Sequence, residues 1–193
     1  LLGLETPLLA IHLLWINLVT DSFPAIGLGM EGADKNIMHK RPKNPKKGLF
    51  SDGLWRKIFF EGTMIGLLTL FAFNLGTNLY SLEVGRTMAF ISLSLLELVH
   101  SLNVRSEDTS ILEIGFFKNK WLLLAFLVGL ILQIIVVITP QIASIFNVVP
   151  LNNSQWFITG MISILPLIIM EIKKKMHEMI FGKRVYNIYG KTA

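Results

Sequence analysis

The fold is decided by the stretch Trp15-Ile16-Asn17-Leu18-Val19-Thr20-Asp21-Ser22-Phe23-Pro24. It places an amide, a hydroxyl, a carboxylate and a proline inside an apolar run that is long enough to cross a bilayer. Ionisable side chains are costly in hydrocarbon, and where they occur they mark ion or substrate paths. The stretch therefore predicts a membrane-spanning helix that carries a functional polar cluster.

The spacing within this stretch brings oxygen atoms to one side of a helix. Asn17 and Asp21 are four residues apart and project from one face, with Thr20 at its edge. Pro24 has no N–H, so the carbonyl of Thr20 loses its usual helical partner. Calcium and similar hard cations bind oxygen clusters of this kind. The other interpretation is a proline kink in which Asn17 and Thr20 only join helices by hydrogen bonds, but that role needs no carboxylate.

The composition predicts a polytopic membrane protein. Of the 193 residues, 52% are hydrophobic and 16% are charged, which is less charge than a soluble domain carries. The formal net charge is +5, and the basic residues cluster in a few segments between apolar stretches. Membrane topology requires such clustering, so we expect no nucleic-acid partner. There is no cysteine, which excludes disulfides.

The apolar stretches predict an all-α fold with about five transmembrane helices, the first of them broken near Pro24. Basic residues concentrate in the segment 31–53 and near the C-terminus, which the positive-inside rule places in the cytoplasm. The segment 31–53 is also a candidate docking surface for another cytoplasmic domain. In the second helix, Gly62 and Gly66 suit close packing against a neighbour. The predicted helices are residues 6–30, 54–80, 84–104, 120–138 and 155–173.

A second carboxylate inside the membrane is predicted at Glu97, in the third helix. It is either a protonated side chain that bonds across helices, or a cation ligand or proton carrier. Glu61 lies one turn inside the second helix, where we expect it to pair with Lys57 rather than to bind a ligand. His100 is expected to pack rather than to act as a ligand.

These segments resemble the C-terminal transmembrane region of P-type cation-transporting ATPases of the calcium-pump type. Residues 14–25 resemble the sixth transmembrane helix of that family, whose pattern reads roughly L-W-x-N-L-x-T-D-x-x-P-A. Residues 37–43 resemble the basic loop after it, residues 97–103 the eighth helix, and residues 154–171 the tenth. The resemblance covers the whole chain and implies helices six to ten of a ten-helix pump.

The resemblance also implies a set of ligands. Asn17 and Asp21 match ligands of the calcium site nearer the cytoplasm, and Thr20, Asp21 and Glu97 match ligands of a deeper site. The sodium/potassium and proton/potassium pumps typically have Asp where Asn17 stands, which favours the calcium-type branch. The implied metal-binding residues are therefore Asn17, Thr20, Asp21 and Glu97, with calcium as the transported ion.

The same resemblance limits what the chain does alone. The Asp-Lys-Thr-Gly motif that carries the phosphorylated aspartate in this family does not occur. We therefore expect no catalytic residue here, and we expect ATP and magnesium to bind only in the N-terminal part of the same pump, with helices one to five. The short connection at residues 79–86 favours a bacterial member in the plasma membrane, where the lipid bilayer is the other partner.

Two other functions fit the residues. One is a small secondary transporter or channel whose acidic residues relay protons and which moves cations without ATP. The other is a non-transporting membrane scaffold in which Asn17, Asp21 and Glu97 only join helices. A scaffold would disperse these side chains or seal them among the five helices, whereas a pump would bring them together beside a cleft left for further helices.

Overall fold

The computed structural model of the protein describes residues 5–32, 54–106 and 110–189, without the side chains of 177, 178 and 180–189. Every regular element in these ranges is a helix, and five helices are long and apolar enough to span a membrane. The prediction of an all-α polytopic membrane protein is therefore confirmed. Residues 33–53, most of the predicted basic loop, lie outside the described residues. The helices are α1 (Ala10–Gly29), α2 (Leu54–Leu79), α3 (Leu82–Val104), α4 (Ile111–Ile114), α5 (Lys120–Ile138), α6 (Pro140–Phe146) and α7 (Asn153–Tyr189).

Helix α3 is the central helix of the bundle. In its most apolar stretch 72% of the residues are buried inside the protein, against 28–33% in the other four spans. It contacts α1, α2, α5 and α7, and six consecutive residues, 87–92, are buried. A helix in this position faces protein rather than lipid, so its polar side chains act inside the bundle.

Helix α1 contains a π-helical turn close to the predicted break. It is π-helical over Ile16–Asp21 and α-helical on both sides, so the chain stays helical through Pro24. A proline lacks the backbone N–H of other residues, and its ring crowds the carbonyl one turn earlier in the helix. In this protein the turn that precedes Pro24 is widened, and the helix continues beyond it. The hydroxyl of Ser22 donates to the carbonyl of Asn17 over 2.9 Å, which gives a carbonyl of the widened turn a partner. Such turns occur often at functional sites.

One end of α1 is anchored by His12, which is fully buried. The N–H of Leu9 donates to its Nδ1 over 3.2 Å. The ring proton therefore sits on Nε2, which donates to the carbonyl of Phe146 over 2.7 Å. The ring also stacks on Phe90 of α3 at a centroid distance of 4.5 Å. These contacts hold this end of α1 against α3 and α6.

The other end of α1 is anchored by an ion pair between Glu31 and Arg105. The Arg105 guanidinium donates two hydrogen bonds to the Glu31 carboxylate, from Nε to Oε2 over 2.9 Å and from Nη2 to Oε1 over 3.0 Å. Asn119, the N-cap of α5, donates to Oε2 of Glu31 over 2.7 Å and to the carbonyl of Gly27 over 2.9 Å. The Arg105 guanidinium holds the pKa of Glu31 below its ordinary value, although burial acts in the opposite direction. This network joins α1, α3 and α5.

Helices α2 and α3 form an antiparallel hairpin whose backbones touch at Gly76 and Gly85. A Cβ added to Gly76 would lie 2.7 Å from the Cα of Gly85. By contrast, a Cβ at Gly62 or Gly66 meets no atom of the described residues within 4 Å. Among these residues, the predicted close packing at Gly62 and Gly66 is not found. The close contact lies nearer the turn, where both helices lack a side chain and their backbones can meet.

Helix α7 extends beyond the predicted range of residues 155–173, since it begins at Asn153 and ends at Tyr189. Residues 171–181 contain neither glycine nor proline, so nothing in the chain stops the helix at its lysines. Lys174 is buried and donates to the carbonyl of Asn103 over 3.1 Å. This bond ties α7 to the end of α3.

The glycine contact predicts the effect of Gly85→Ala. The added Cβ would overlap Oγ1 of Thr77 and lie 2.8 Å from the carbonyl oxygen of Phe73, so the hairpin must open. We expect a loss of about 1–3 kcal/mol of unfolding free energy, measured by circular dichroism on the chain in detergent. Gly62→Ala is the control, and it should be neutral or slightly stabilising because alanine is the better helix former. Equal stability of the two variants would contradict the contact.

The Glu31–Arg105 pair predicts a pH-dependent effect of Glu31→Gln. The folded-state pKa of Glu31 lies below its ordinary value of 4.5. The ion pair therefore contributes its full stability above pH 4.5, and it loses this contribution as the pH falls through the folded-state pKa. The stability difference between the unaltered chain and Glu31→Gln should be constant near pH 7 and shrink below pH 4.5. Unfolding in detergent across this range measures it. Glu83→Gln, at an exposed carboxylate early in α3, controls for the loss of one charge, and a difference that persists unchanged in acid would refute the pair.

Candidate cation site at the π-helical turn

The candidate site lies where the π-helical turn of α1 packs against α3. Thr20 is buried here, with only 1% of its surface exposed. Its hydroxyl oxygen lies 3.0 Å from Oε2 of Glu97 and 2.9 Å from the carbonyl oxygen of Ile16. Because a hydroxyl has one hydrogen and two lone pairs, Oγ1 retains the capacity to accept a bond or to bind a cation.

Asp21 is the last residue of the π-helical turn, and its carboxyl interacts with that of Glu97. Two neighbouring carboxylates repel each other, so the pair needs a shared proton or a cation to offset one of the charges. Inside a bilayer the need is greater, because hydrocarbon offers no water to solvate the charges. The arrangement is therefore suited to exchanging a proton for a cation.

Asn17 occupies the preceding turn of α1, and its side chain is exposed. The structure thus brings Thr20, Asp21 and Glu97 together and leaves the Asn17 amide on the exposed side of the helix. Leu14 and Leu18 on the same stretch are 70% and 69% exposed. A surface that combines an amide and a carboxylate with leucines suits contact with further protein better than contact with lipid alone.

The donors at this site are all oxygen atoms. Calcium takes six to eight oxygens, and Asn17, Thr20, Asp21 and Glu97 reach that range only if both carboxylates bind through two oxygens or if further groups join. In the part of the chain that the structure describes, no three His, Asp or Glu side chains cluster so as to hold a metal by themselves. Thr20, Asp21 and Glu97 therefore suit a hard cation as part of a coordination shell, whereas the Asn17 amide lies on the exposed side of the helix.

One buried polar pair was not predicted from the sequence, Glu61 of α2 with His100 of α3. Oε2 of Glu61 lies 3.2 Å from Nε2 of His100, while Lys57, the predicted partner, acts on Glu61 through its charge. The prediction for Glu61 therefore named only part of its surroundings. The sequence does contain a signal for this pair. Glu61 and His100 are equally distant from the turn at residues 80–81, and an antiparallel hairpin brings such residues together.

Comparison with known proteins places these residues in a family. A family model described as "Cation transporting ATPase, C-terminus" matches residues 5–176. The chain is 42% identical over 191 residues to Calcium-transporting ATPase 1 of Bacillus cereus (strain ATCC 10987 / NRS 248), an alignment that covers 90% of this chain and 21% of that protein. It is 35% identical over 172 residues to Calcium-transporting ATPase of Bacillus subtilis (strain 168), with 88% and 19% covered. It is 36% identical over 173 residues to Calcium-transporting ATPase 1 of Lactococcus lactis subsp. lactis (strain IL1403), with 89% and 20% covered.

The match covers most of this chain but only a small part of each relative. It includes all four candidate residues and all five spans, whereas the chain spans only 19–21% of the length of these three relatives. The resemblance found in the sequence is thereby confirmed. With a match over nearly its whole length, this chain belongs to the family of cation-transporting ATPase C-terminal regions.

Proposed function

We propose that this chain is the membrane-spanning part of an ATP-driven calcium pump and contributes part of the ion site. The observation that carries the proposal is the contact of Thr20 with Glu97, beside Asp21, at a π-helical turn inside an apolar span. Relatives named as calcium-transporting ATPases support calcium as the ion. The ligand chemistry agrees, since calcium takes carboxylate, amide, hydroxyl and carbonyl oxygens.

Each residue has its own role in this proposal. Asp21 supplies charge to the cation, and Asn17 and Thr20 supply neutral oxygens. Glu97 binds the cation in one state of the pump and a proton in the other, because a buried carboxyl without its cation favours the neutral form. The π-helical turn gives α1 a place where its hydrogen bonds can rearrange as the cation enters and leaves.

The remaining parts of the pump come from outside this chain. The exposed face with Asn17 and Asp21 is where the helices that complete the coordination shell would pack. ATP and magnesium would bind in cytoplasmic domains, for which the greater length of the relatives leaves room. By itself the chain would neither hydrolyse ATP nor hold calcium tightly.

The orientation follows from the distribution of basic residues. Under the positive-inside rule, the segment 31–53 and the C-terminus lie in the cytoplasm of a bacterial cell. The segment 31–53 begins at Glu31, which is bonded to Arg105 and Asn119. A cytoplasmic domain docked on this segment would therefore act first on the end of α1, and through it on the π-helical turn.

The arrangement supports a pump over a membrane scaffold. Thr20 and Glu97 are in contact, and Asp21 joins them while keeping an exposed side. A scaffold would instead seal its polar groups among its own helices, because an unpaired charge facing lipid is costly.

The assignment of Asp21 is tested by Asp21→Asn in a full-length pump that carries this chain. The amide keeps the volume but removes the charge, so we expect calcium-stimulated ATPase activity and calcium uptake to fall at least tenfold, about 1.4 kcal/mol or more. Both are measured in proteoliposomes, with Glu83→Gln as a control that also removes one negative charge. Full activity in Asp21→Asn would show that the assignment is wrong.

The contribution of the hydroxyl is tested by the pair Thr20→Val and Thr20→Ser. Valine matches the shape of threonine but has no oxygen, so the apparent calcium affinity should fall about tenfold. Serine keeps the oxygen next to Glu97 and should retain most of the affinity. The measurement is the calcium concentration at half-maximal ATPase activity, and the same shift in both variants would mean that packing, not ligation, matters at this position.

A further inference from the structure

Gln133 is a polar side chain inside the most apolar helix of the bundle. Every other residue of α5 from Leu122 to Ile138 is apolar, and this span has the highest mean hydropathy of the five. The side chain of Gln133 is nevertheless fully buried. Burying an amide costs free energy unless the amide is hydrogen-bonded, so the contacts of Gln133 call for an explanation.

The Gln133 amide is hydrogen-bonded to α1. Nε1 of Trp15 donates to Oε1 of Gln133 over 2.9 Å. An indole N–H can only donate, so it decides that the amide oxygen, not the nitrogen, faces Trp15. The amide nitrogen, Nε2, is buried and has no hydrogen-bond partner among the described residues. Within these residues the bond to Trp15 is therefore the contact that orients the amide.

Trp15 is the residue immediately before the π-helical turn of α1. Its ring meets the ring of Phe146 of α6 edge-on, at a centroid distance of 5.3 Å. The next residue, Ile16, is buried in one apolar cluster with Phe146 and with Val136 of α5. The start of the turn is thus held by apolar packing on two helices and by one directional bond, which comes from Gln133.

The turn that begins after Trp15 carries side chains of the candidate site. Oγ1 of Thr20 lies 2.9 Å from the carbonyl oxygen of Ile16 and 3.0 Å from Oε2 of Glu97. Asp21 ends the same turn. The first residue of the turn is therefore bonded to the side chain that contacts Glu97. A rotation of the helix at Trp15 would move Ile16 and, through its carbonyl, the Thr20 hydroxyl.

We propose that Gln133 is a positioning residue for the candidate cation site and acts on it through Trp15 and the start of the π-helical turn. Gln133 does not touch the cation, and its role is to keep Thr20 and Asp21 turned toward Glu97. The proposal rests on the proposed function in one respect, namely that these side chains bind a transported cation. It extends that function to α5, a helix that supplies none of the implied ligands.

The test uses Gln133→Leu and Trp15→Phe in a full-length pump that carries this chain. Each change removes one partner of the hydrogen bond and leaves an apolar side chain in its place. We expect the calcium concentration for half-maximal ATPase activity to rise about threefold or more in each variant, while the maximal rate changes less than about twofold. The double variant should shift no further than the larger single shift, because both changes break the same bond.

The controls separate positioning from general packing. Gln133→Glu keeps an acceptor oxygen at the same reach and should retain most of the calcium affinity. Leu122→Ala removes a buried side chain from the same helix, in a cluster with Leu102 and Ile111 that contains no residue of the π-helical turn. It should lower the thermal stability and leave the calcium affinity unchanged. If Gln133→Leu and Trp15→Phe behave like Leu122→Ala, Gln133 only packs and the proposal is overturned.

A second measurement distinguishes failure of this proposal from failure of the pump assignment. In the 193-residue chain in nanodiscs without calcium, hydrogen–deuterium exchange of the backbone amides of Ile16–Asp21 is followed by mass spectrometry. We expect exchange to be about tenfold faster in Gln133→Leu than in the unaltered chain or in Leu122→Ala. Faster exchange, together with a full-length pump that moves no calcium, would support Gln133 as the residue that holds the turn and overturn the pump assignment alone. Equal exchange in all three chains would overturn the positioning role, whatever the pump transports.

Discussion

Two carboxylates inside an apolar bundle set the main constraint on this protein. Glu97 belongs to the central helix and Asp21 to the π-helical turn packed against it, and hydrocarbon solvates neither charge. Thr20 gives Glu97 a hydrogen bond from a buried hydroxyl, while Asp21 keeps an exposed side. Two negative charges here would repel each other, so the pair is stable only when a proton or a cation offsets one of them.

The rest of the bundle holds the two ends of α1. His12 fixes one end through the Phe146 carbonyl and the Phe90 ring, and Arg105 fixes the other through Glu31. The π-helical turn lies between these anchors, where the backbone ladder is already irregular. Each anchor is therefore joined to the candidate site by continuous helix rather than by a loop.

The register of the α2–α3 hairpin links its packing to its chemistry. Gly76 and Gly85 touch near the turn, and the same alignment, continued along both helices, places Glu61 opposite His100. A slip of one residue at the glycines would separate the acid from the base. Packing contacts and polar contacts in this hairpin consequently depend on one another.

The class of the fold and the oxygen donors of the candidate site can both be predicted from residue types and their spacing. Span length and apolar composition predict five membrane helices, and an amide, a hydroxyl and a carboxylate at helical spacing predict oxygen ligation near Pro24. The form of the irregularity, a π-helical turn at Ile16–Asp21, depends on the packing of α1 against α3, because proline alone permits a kink, a break or a widened turn.

Which side chains meet depends on how the helices pack against one another. The Thr20–Glu97 bond, the Glu31–Arg105 pair and the Glu61–His100 pair each join residues far apart in the chain. The periodicity of a sequence shows which residues share a face of one helix, but not which helix covers that face. For this reason it predicted Lys57 as the partner of Glu61, and it predicted Gly62 and Gly66 as the site of close helix packing. The neighbours of a buried polar group are set by the relative rotation and register of whole helices, which arise only when the bundle is assembled.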